Sequence, residues 1–228
     1  MPLFRRSSPP TPQLDPNDWR PQRFGRSRRS MRDPIVEPSW SGVRVLARVN
    51  NGSVGIIDED GIDCTAEFAA IASAVAASAL ASELILDGFL TVEPTQVKPV
   101  GPLEAVQAPT GGQMMTQLIV GSRVGRRPTF ERHLDPDRPI AFVAVDLLQI
   151  DGSRLLDVPL LERKRLLDGS LRPGDLVRIT PFVRPPVASY VPTWRSAGFN
   201  ALVYKNANSR YLPDARNDDW SIFPMPFK

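Results

Sequence analysis

Residues 43–49 and 53–57 are β-branched runs separated by Asn50, Asn51 and Gly52. That spacing admits little besides a β-hairpin, because an Asn-Gly turn supplies the positive backbone angles that match the twist of two paired strands. A second turn follows at residues 58–61. Residues 68–84 read as a helix, apolar nearly all round and rich in small side chains, and residues 84–92 as a buried strand. Prolines and glycines punctuate residues 94–112 without periodicity, so this stretch reads as a loop. An apolar strand is expected over 140–148, a turn over 149–153, a short basic helix over 160–167, and strands over 177–183 and 201–205. This order predicts an α+β domain with mostly antiparallel sheets.

Several classes of function are excluded by scarcity. With one cysteine, Cys64, and one histidine, His133, the chain can form neither an internal disulfide nor a structural zinc site. The longest weakly polar run, residues 68–82, is too short and too interrupted by serine to span a bilayer. The first 33 residues hold no apolar core of a secretory signal. A cytoplasmic protein without membrane insertion is expected.

Basic charge is unevenly placed. Residues 1–33 carry eight arginines, Arg5, Arg6, Arg20, Arg23, Arg26, Arg28, Arg29 and Arg32, against three aspartates, a balance of +5. The whole chain carries +3, which leaves −2 for the other 195 residues. Six prolines share that segment, and so polar a stretch cannot bury enough apolar surface to offset the entropy of ordering. It reads as a disordered arm, 1–33, ahead of a domain over 34–228. Two readings of the arm stand side by side: electrostatic attachment to nucleic acid or an acidic protein surface, within a larger assembly, or a solvated tail. Its prolines argue against an amphipathic transit peptide.

The motifs that follow resemble those of the adenylation domain of ATP-dependent DNA ligases, in the covalent nucleotidyltransferase superfamily, over roughly residues 34–224. Glu37-Pro38-Ser39-Trp40-Ser41-Gly42-Val43-Arg44 is similar to the Glu-Pro-Lys-x-Asp-Gly-x-Arg that opens bacterial members. Asp60-Gly61-Ile62-Asp63-Cys64-Thr65 resembles Asn-Gly-x-Asp-Leu-Thr, and Ile85-Leu86-Asp87-Gly88 resembles the Leu-Asp-Gly-Glu strand. FVAVDLLQIDG at 142–152, PLLERKR at 159–165 and GFNALVYK at 198–205 follow in family order, with Ser209, Tyr211, Pro213 and Trp220 at the family's spacing beyond. The resemblance implies two mostly antiparallel sheets with flanking helices, clasping ATP, with a lysine that attacks the α-phosphate. It implies no OB-fold domain within this chain.

Against that pattern the chain departs at the chemistry. Ser39 stands at the nucleophile position and Ser41 at the aspartate two residues on. Glu59 replaces an arginine, Phe89 a carboxylate, Val145 an aromatic beside the adenine, and Asn200 a metal-side glutamate, while the two phosphate-facing lysines fall on Ile222 and Pro224. Glu37, Arg44 and Lys205 are retained. The expectation is therefore a pseudoenzyme that kept the fold and lost the reaction, takes no cofactor and no metal, and serves as a binding or structural component. Two other readings stay open: a functioning ATP-dependent DNA ligase or adenylyltransferase in DNA repair, and a nucleotide sensor that uses Arg44 and Lys205. Arg123, Arg126, Arg127 and Arg132 form a basic cluster that reads either as a solvated loop or as a contact to the DNA backbone.

Overall fold

The structure is a computed structural model that describes residues 15–25, 31–92 and 140–225. The loop expected over 94–112, His133, and arginines 5, 6, 26, 28, 29, 123, 126, 127 and 132 lie outside the described residues. Asn51 and Gly52 take φ of 48° and 84°, closing the hairpin between β3 (Val43–Asn50) and β4 (Ser53–Asp58). Before it run a one-turn 3-10 helix (Pro16–Asp18), β1 (Arg23–Phe24) and β2 (Pro34–Pro38). After it come α1 (Ala69–Ser78), β5 (Glu83–Thr91), β6 (Ala141–Ile150) and β7 (Ser153–Arg154). The chain continues through α2 (Leu160–Ser170), β8 (Val177–Ile179), α3 (Val191–Ser196), β9 (Ala201–Asn206), β10 (Arg216–Asn217) and β11 (Trp220–Pro224).

The strands form a six-stranded sheet in the order β4-β3-β5-β6-β7, with β8 on β6, and a three-stranded sheet in the order β11-β9-β2. Pairing is antiparallel except for β8 on β6 and the small β1–β10 pair. The α+β architecture of mostly antiparallel sheets with few helices is as the sequence predicts. Alternation sorts each large-sheet strand between two cores. Val45, Ala47, Leu84, Leu86 and Leu90 face α1, whereas Leu46 and Ile85 face the small sheet together with Ile35 and Trp220. Gly88 is required where β5 crosses β6, since a Cβ there would lie 2.4 Å from the Phe142 ring.

Two register shifts interrupt the β5–β6 ladder, and each gives β6 one extra residue. A bulge re-aims side chains. Here Val145 and Asp146, neighbours in sequence, both stay buried on the side of the small sheet, Val145 against the Trp40 cluster and Asp146 against α2.

Differences from the sequence reading have local causes. α1 ends at Ser78 because Ala79 turns extended and bridges Leu171, while Leu80 N–H donates to the Ser170 carbonyl. Residues 15–25, read from composition as part of a disordered arm, instead pack on the body. Trp19 is wholly buried, Gln22 accepts from Leu212 N–H, and β1 pairs with β10. One tryptophan buries more apolar surface than the surrounding prolines and arginines would suggest. Trp19→Ala should destabilise the fold by about 3–5 kcal/mol, read as a lowered urea midpoint. An unchanged midpoint would show that the segment is only loosely held.

Candidate functional site

Asp87 and Asp146 sit inside otherwise apolar strands, and a carboxylate so buried must find a cation. Arg44 on β3 lies opposite Phe89 in register and diagonal to Asp87. Its guanidinium meets Asp87 with two hydrogen bonds, 3.0 Å from Nε to Oδ1 and 2.6 Å from Nη2 to Oδ2. Tyr211 hydroxyl donates to Asp87 Oδ2 at 2.8 Å and accepts from Gln22 N–H at 2.8 Å. Arg163, from α2, pairs with Asp146 at 2.9 and 2.7 Å and donates further to the carbonyls of Val158 and Ser209. Glu37, on β2, takes Lys205 at 2.7 Å and forms a second ion pair with Lys164, whose Nζ also donates to the Val145 carbonyl at 2.6 Å.

Four buried cations thus share three buried carboxylates. Lys205 carries the consequence: burial, only partly countered by Glu37 and reinforced by repulsion from Lys164, lowers its ammonium to about 8 from 10.5. Its Nζ rests 4.1 Å from the centre of the Trp220 ring. Burial also works against the Arg44 charge, but the Asp87 carboxylate outweighs it and holds the guanidinium above its ordinary range. Burial and then Asp87 push the Tyr211 phenol up.

Three members of this network, Glu37, Arg44 and Lys205, line a cleft. Glu37, Ser39, Arg44, Phe89, Val145 and Lys205 are brought together there, with Phe24 and Trp40. The Arg44 guanidinium lies 5.1 Å from the ring centre of Phe24 and 5.6 Å from that of Phe89. The space left is about 10 Å³, room for about one water. The other sequence-predicted positions lie elsewhere. Ser41 is buried but does not line the cleft, Glu59 is exposed on the turn after β4, and Asn200, Ile222 and Pro224 are exposed around β9 and β11. Arg20 and Arg23 belong to the packed segment 15–25, where Arg23 pairs with Asp214, and Arg32 is exposed.

Asp87, Asp146, Arg163, Lys164 and Tyr211 fall within the motifs that carry the resemblance, but the sequence reading gave them no part in the site. The available signal was an aspartate in the middle of each of two apolar strand runs, ILDGFL and FVAVDLL. The basic helix expected over 160–167 turns its Arg163 and Lys164 inward rather than to solvent.

A nucleotide, which the resemblance implies, does not fit the residues present. The volume is too small, Phe89 stands where the resemblance places a carboxylate, and Glu37, the carboxylate lining the cleft, is engaged by Lys205 and Lys164. Among the described residues no group of three or more His, Cys, Asp or Glu side chains could hold a metal ion.

Two sheets folded over a charged cleft define the fold of the nucleotidyltransferase domain of DNA ligases. A family model described as ATP dependent DNA ligase domain matches residues 26–221, and the chain belongs to that family. Among curated relatives, the multifunctional non-homologous end joining DNA repair protein LigD of Mycobacterium tuberculosis is 26% identical over 184 residues, covering 81% of this chain and 20% of that protein. A DNA ligase of Methanothrix thermoacetophila is 26% identical over 194 residues, covering 81% and 31%. The chain therefore spans between a fifth and a third of the length of these relatives. In fold it is similar to the ligase domain of M. tuberculosis LigD, with a TM-score of 0.63 and 20% identity over 92% of this chain and 61% of that one. It is also similar to a mycobacterial DNA ligase D complexed with ATP and MES, with a TM-score of 0.65 and 19% identity over 93% and 62%.

These findings correct the expectation that the chain is no enzyme. The matching family is described as an ATP dependent DNA ligase domain, the Methanothrix relative is named DNA ligase, and one matching fold belongs to a ligase solved with ATP, so the family is one of enzymes. The substitutions at Ser39 and Phe89 are facts about this cleft and do not move the chain out of that family.

The shifted groups set a pH dependence. Between about pH 8 and pH 10 the unfolded chain keeps a lysine proton that the folded Lys205 has released, so stability rises with pH across this window. Above pH 10 the sign reverses, because the unfolded tyrosine ionises at 10.0 while the buried Tyr211 stays protonated. Urea midpoints measured through pH 8–10 should rise for the native chain and stay flatter for Lys205→Met.

Proposed function

We propose that this chain acts on DNA as a binding component of strand joining, holding the nucleic acid through its arginines. The observation that carries this reading is the commitment of the cleft. Glu37, Asp87 and Asp146 are bound by the chain's own cations and Arg44 is enclosed by aromatic rings, which leaves recognition to the outer surface. The surplus of positive charge lies in residues 1–33, and arginines that neutralise phosphates release condensed counterions. The strand-joining context comes from the names of the relatives, of which this chain spans only a part.

The test is fluorescence anisotropy with a labelled nicked duplex across a salt series. The full chain should bind without sequence preference and weaken steeply with salt. Replacing Arg26, Arg28 and Arg29 by glutamine should lower the slope of log affinity against log salt by about 0.9 for each phosphate no longer neutralised and leave the melting temperature unchanged. A chain that binds an acidic protein but no DNA would overturn the reading.

Family membership and the lowered Lys205 amine favour a second reading, ATP-dependent ligase activity. It would require the cleft to open. Under this reading the Lys205 amine would take AMP from ATP as pyrophosphate leaves, so α-phosphate label should remain on the protein through a denaturing gel and disappear in Lys205→Arg; no label in the native chain sets it aside.

A further inference from the structure

Away from the cleft, three guanidinium groups from distant parts of the chain gather around Trp19. Arg20 follows Trp19 in the packed N-terminal segment, Arg48 projects from β3 and Arg154 from β7. Arg20 Nη1 donates to the Trp19 carbonyl at 2.8 Å and to the Asn17 carbonyl at 3.4 Å. Arg48 Nη2 donates to the same two carbonyls, at 3.3 and 2.8 Å. Two like charges thus meet on one pair of neutral acceptors. The Arg154 guanidinium lies 5.8 Å from the centre of the Trp19 ring, and its side chain is exposed.

Gathering like charges costs energy unless something offsets it. The cost is visible at Arg48, whose guanidinium is pulled below its ordinary range by partial burial first and by Arg20 next. Asp15 and Asp18, on the same turn, act on Arg48 in the opposite sense, but the Asp15 carboxylate is engaged as the helix cap, accepting from Asn17 N–H at 2.8 Å. The carbonyls use Nη1 of Arg20 and Nη2 of Arg48, Arg48 Nε is buried and the Arg20 guanidinium packs over Gly61, so Nη1 of Arg48 and the fork of Arg154 are the donors left for the oxygens of a phosphate. Arg48 and Arg154 lie outside residues 1–33, so this cluster is not an extension of the arm.

We propose that Arg20, Arg48 and Arg154 form a phosphate site that takes the backbone of the DNA held by this chain. The inference rests on the DNA-binding reading above and gives it a second, folded point of attachment. A phosphodiester held here would neutralise the pair and would be gripped without reference to base sequence. Because the site is built on packed elements, it would set the register of the duplex against the body, which an extended arm cannot do.

The test uses the full chain, a labelled nicked duplex and a salt series, with Arg48→Gln, Arg154→Gln and Arg165→Gln compared. Arg165 is an exposed arginine of α2 paired with Glu162 and serves as the control. Arg48→Gln and Arg154→Gln should each weaken binding several-fold at low salt and reduce the salt slope by about 0.9, while Arg165→Gln binds as the native chain does. Arg48→Lys should recover part of the affinity. Arg154 is exposed, so its variant keeps the test decisive even if Arg48→Gln unfolds the protein. Native binding that is unchanged in Arg154→Gln and in a folded Arg48 variant overturns this site and leaves the DNA-binding reading intact. No binding by the native chain overturns both.

Discussion

A carboxylate inside a β-sheet is costly unless a cation meets it, and much of the space between the two sheets is organised by that requirement. Asp87 lies in the central part of the large sheet, and its partner Arg44 comes from the neighbouring strand, so the ion pair depends on the β3–β5 register being correct. A slip of either strand by one residue would turn its charged group to the α1 side, into the main apolar core, and part it from its partner. Asp146 and Glu37 extend the same constraint to α2 and to the small sheet. Helix and sheets are therefore joined by ion pairs as well as by apolar packing.

The aromatic rings around this network complete it. Arg44 has Phe24, Phe89 and Trp220 within 6 Å of its guanidinium, and Lys205 has Trp220. Weakly hydrated guanidinium tolerates such surroundings better than ammonium does. Burial weakens the charge of both residues; at Arg44 the paired Asp87 carboxylate outweighs it, and at Lys205 the Glu37 carboxylate, shared with Lys164, does not. Phe24 belongs to a segment far from β3 in sequence. The packing of residues 15–25 is consequently part of the cleft and not a decoration on it.

Fold and family were legible in the sequence because both rest on local signals. The hairpin at Asn50–Gly52, the apolar strands over 84–92 and 140–148 and the order of motifs are patterns within short windows, and alternation converts them into sheet faces. The motif at residues 37–44, through its resemblance to the family's, likewise placed Ser39, Arg44 and Glu37 in one neighbourhood. The step from altered cleft residues to a non-enzyme did not follow, because residue identities at a site describe its chemistry one position at a time and the family as a whole is one of enzymes.

What the sequence alone determined was the central hairpin, the apolar strands and the two longer helices, from periodicity and turn chemistry between near neighbours, and the family, from the resemblance of its motifs. Tertiary structure decided the rest. That Trp19 is core and not arm, that Arg163 and Lys164 point inward from a helix that looks solvated, and that one lysine of the Glu37 trio carries a lowered charge all depend on residues far apart in the chain. The physical reason is that burial and charge pairing are properties of the three-dimensional surroundings. Bulges in β6 and the closure of residues 15–25 over the sheets set those surroundings, and neither leaves a periodic trace in the sequence.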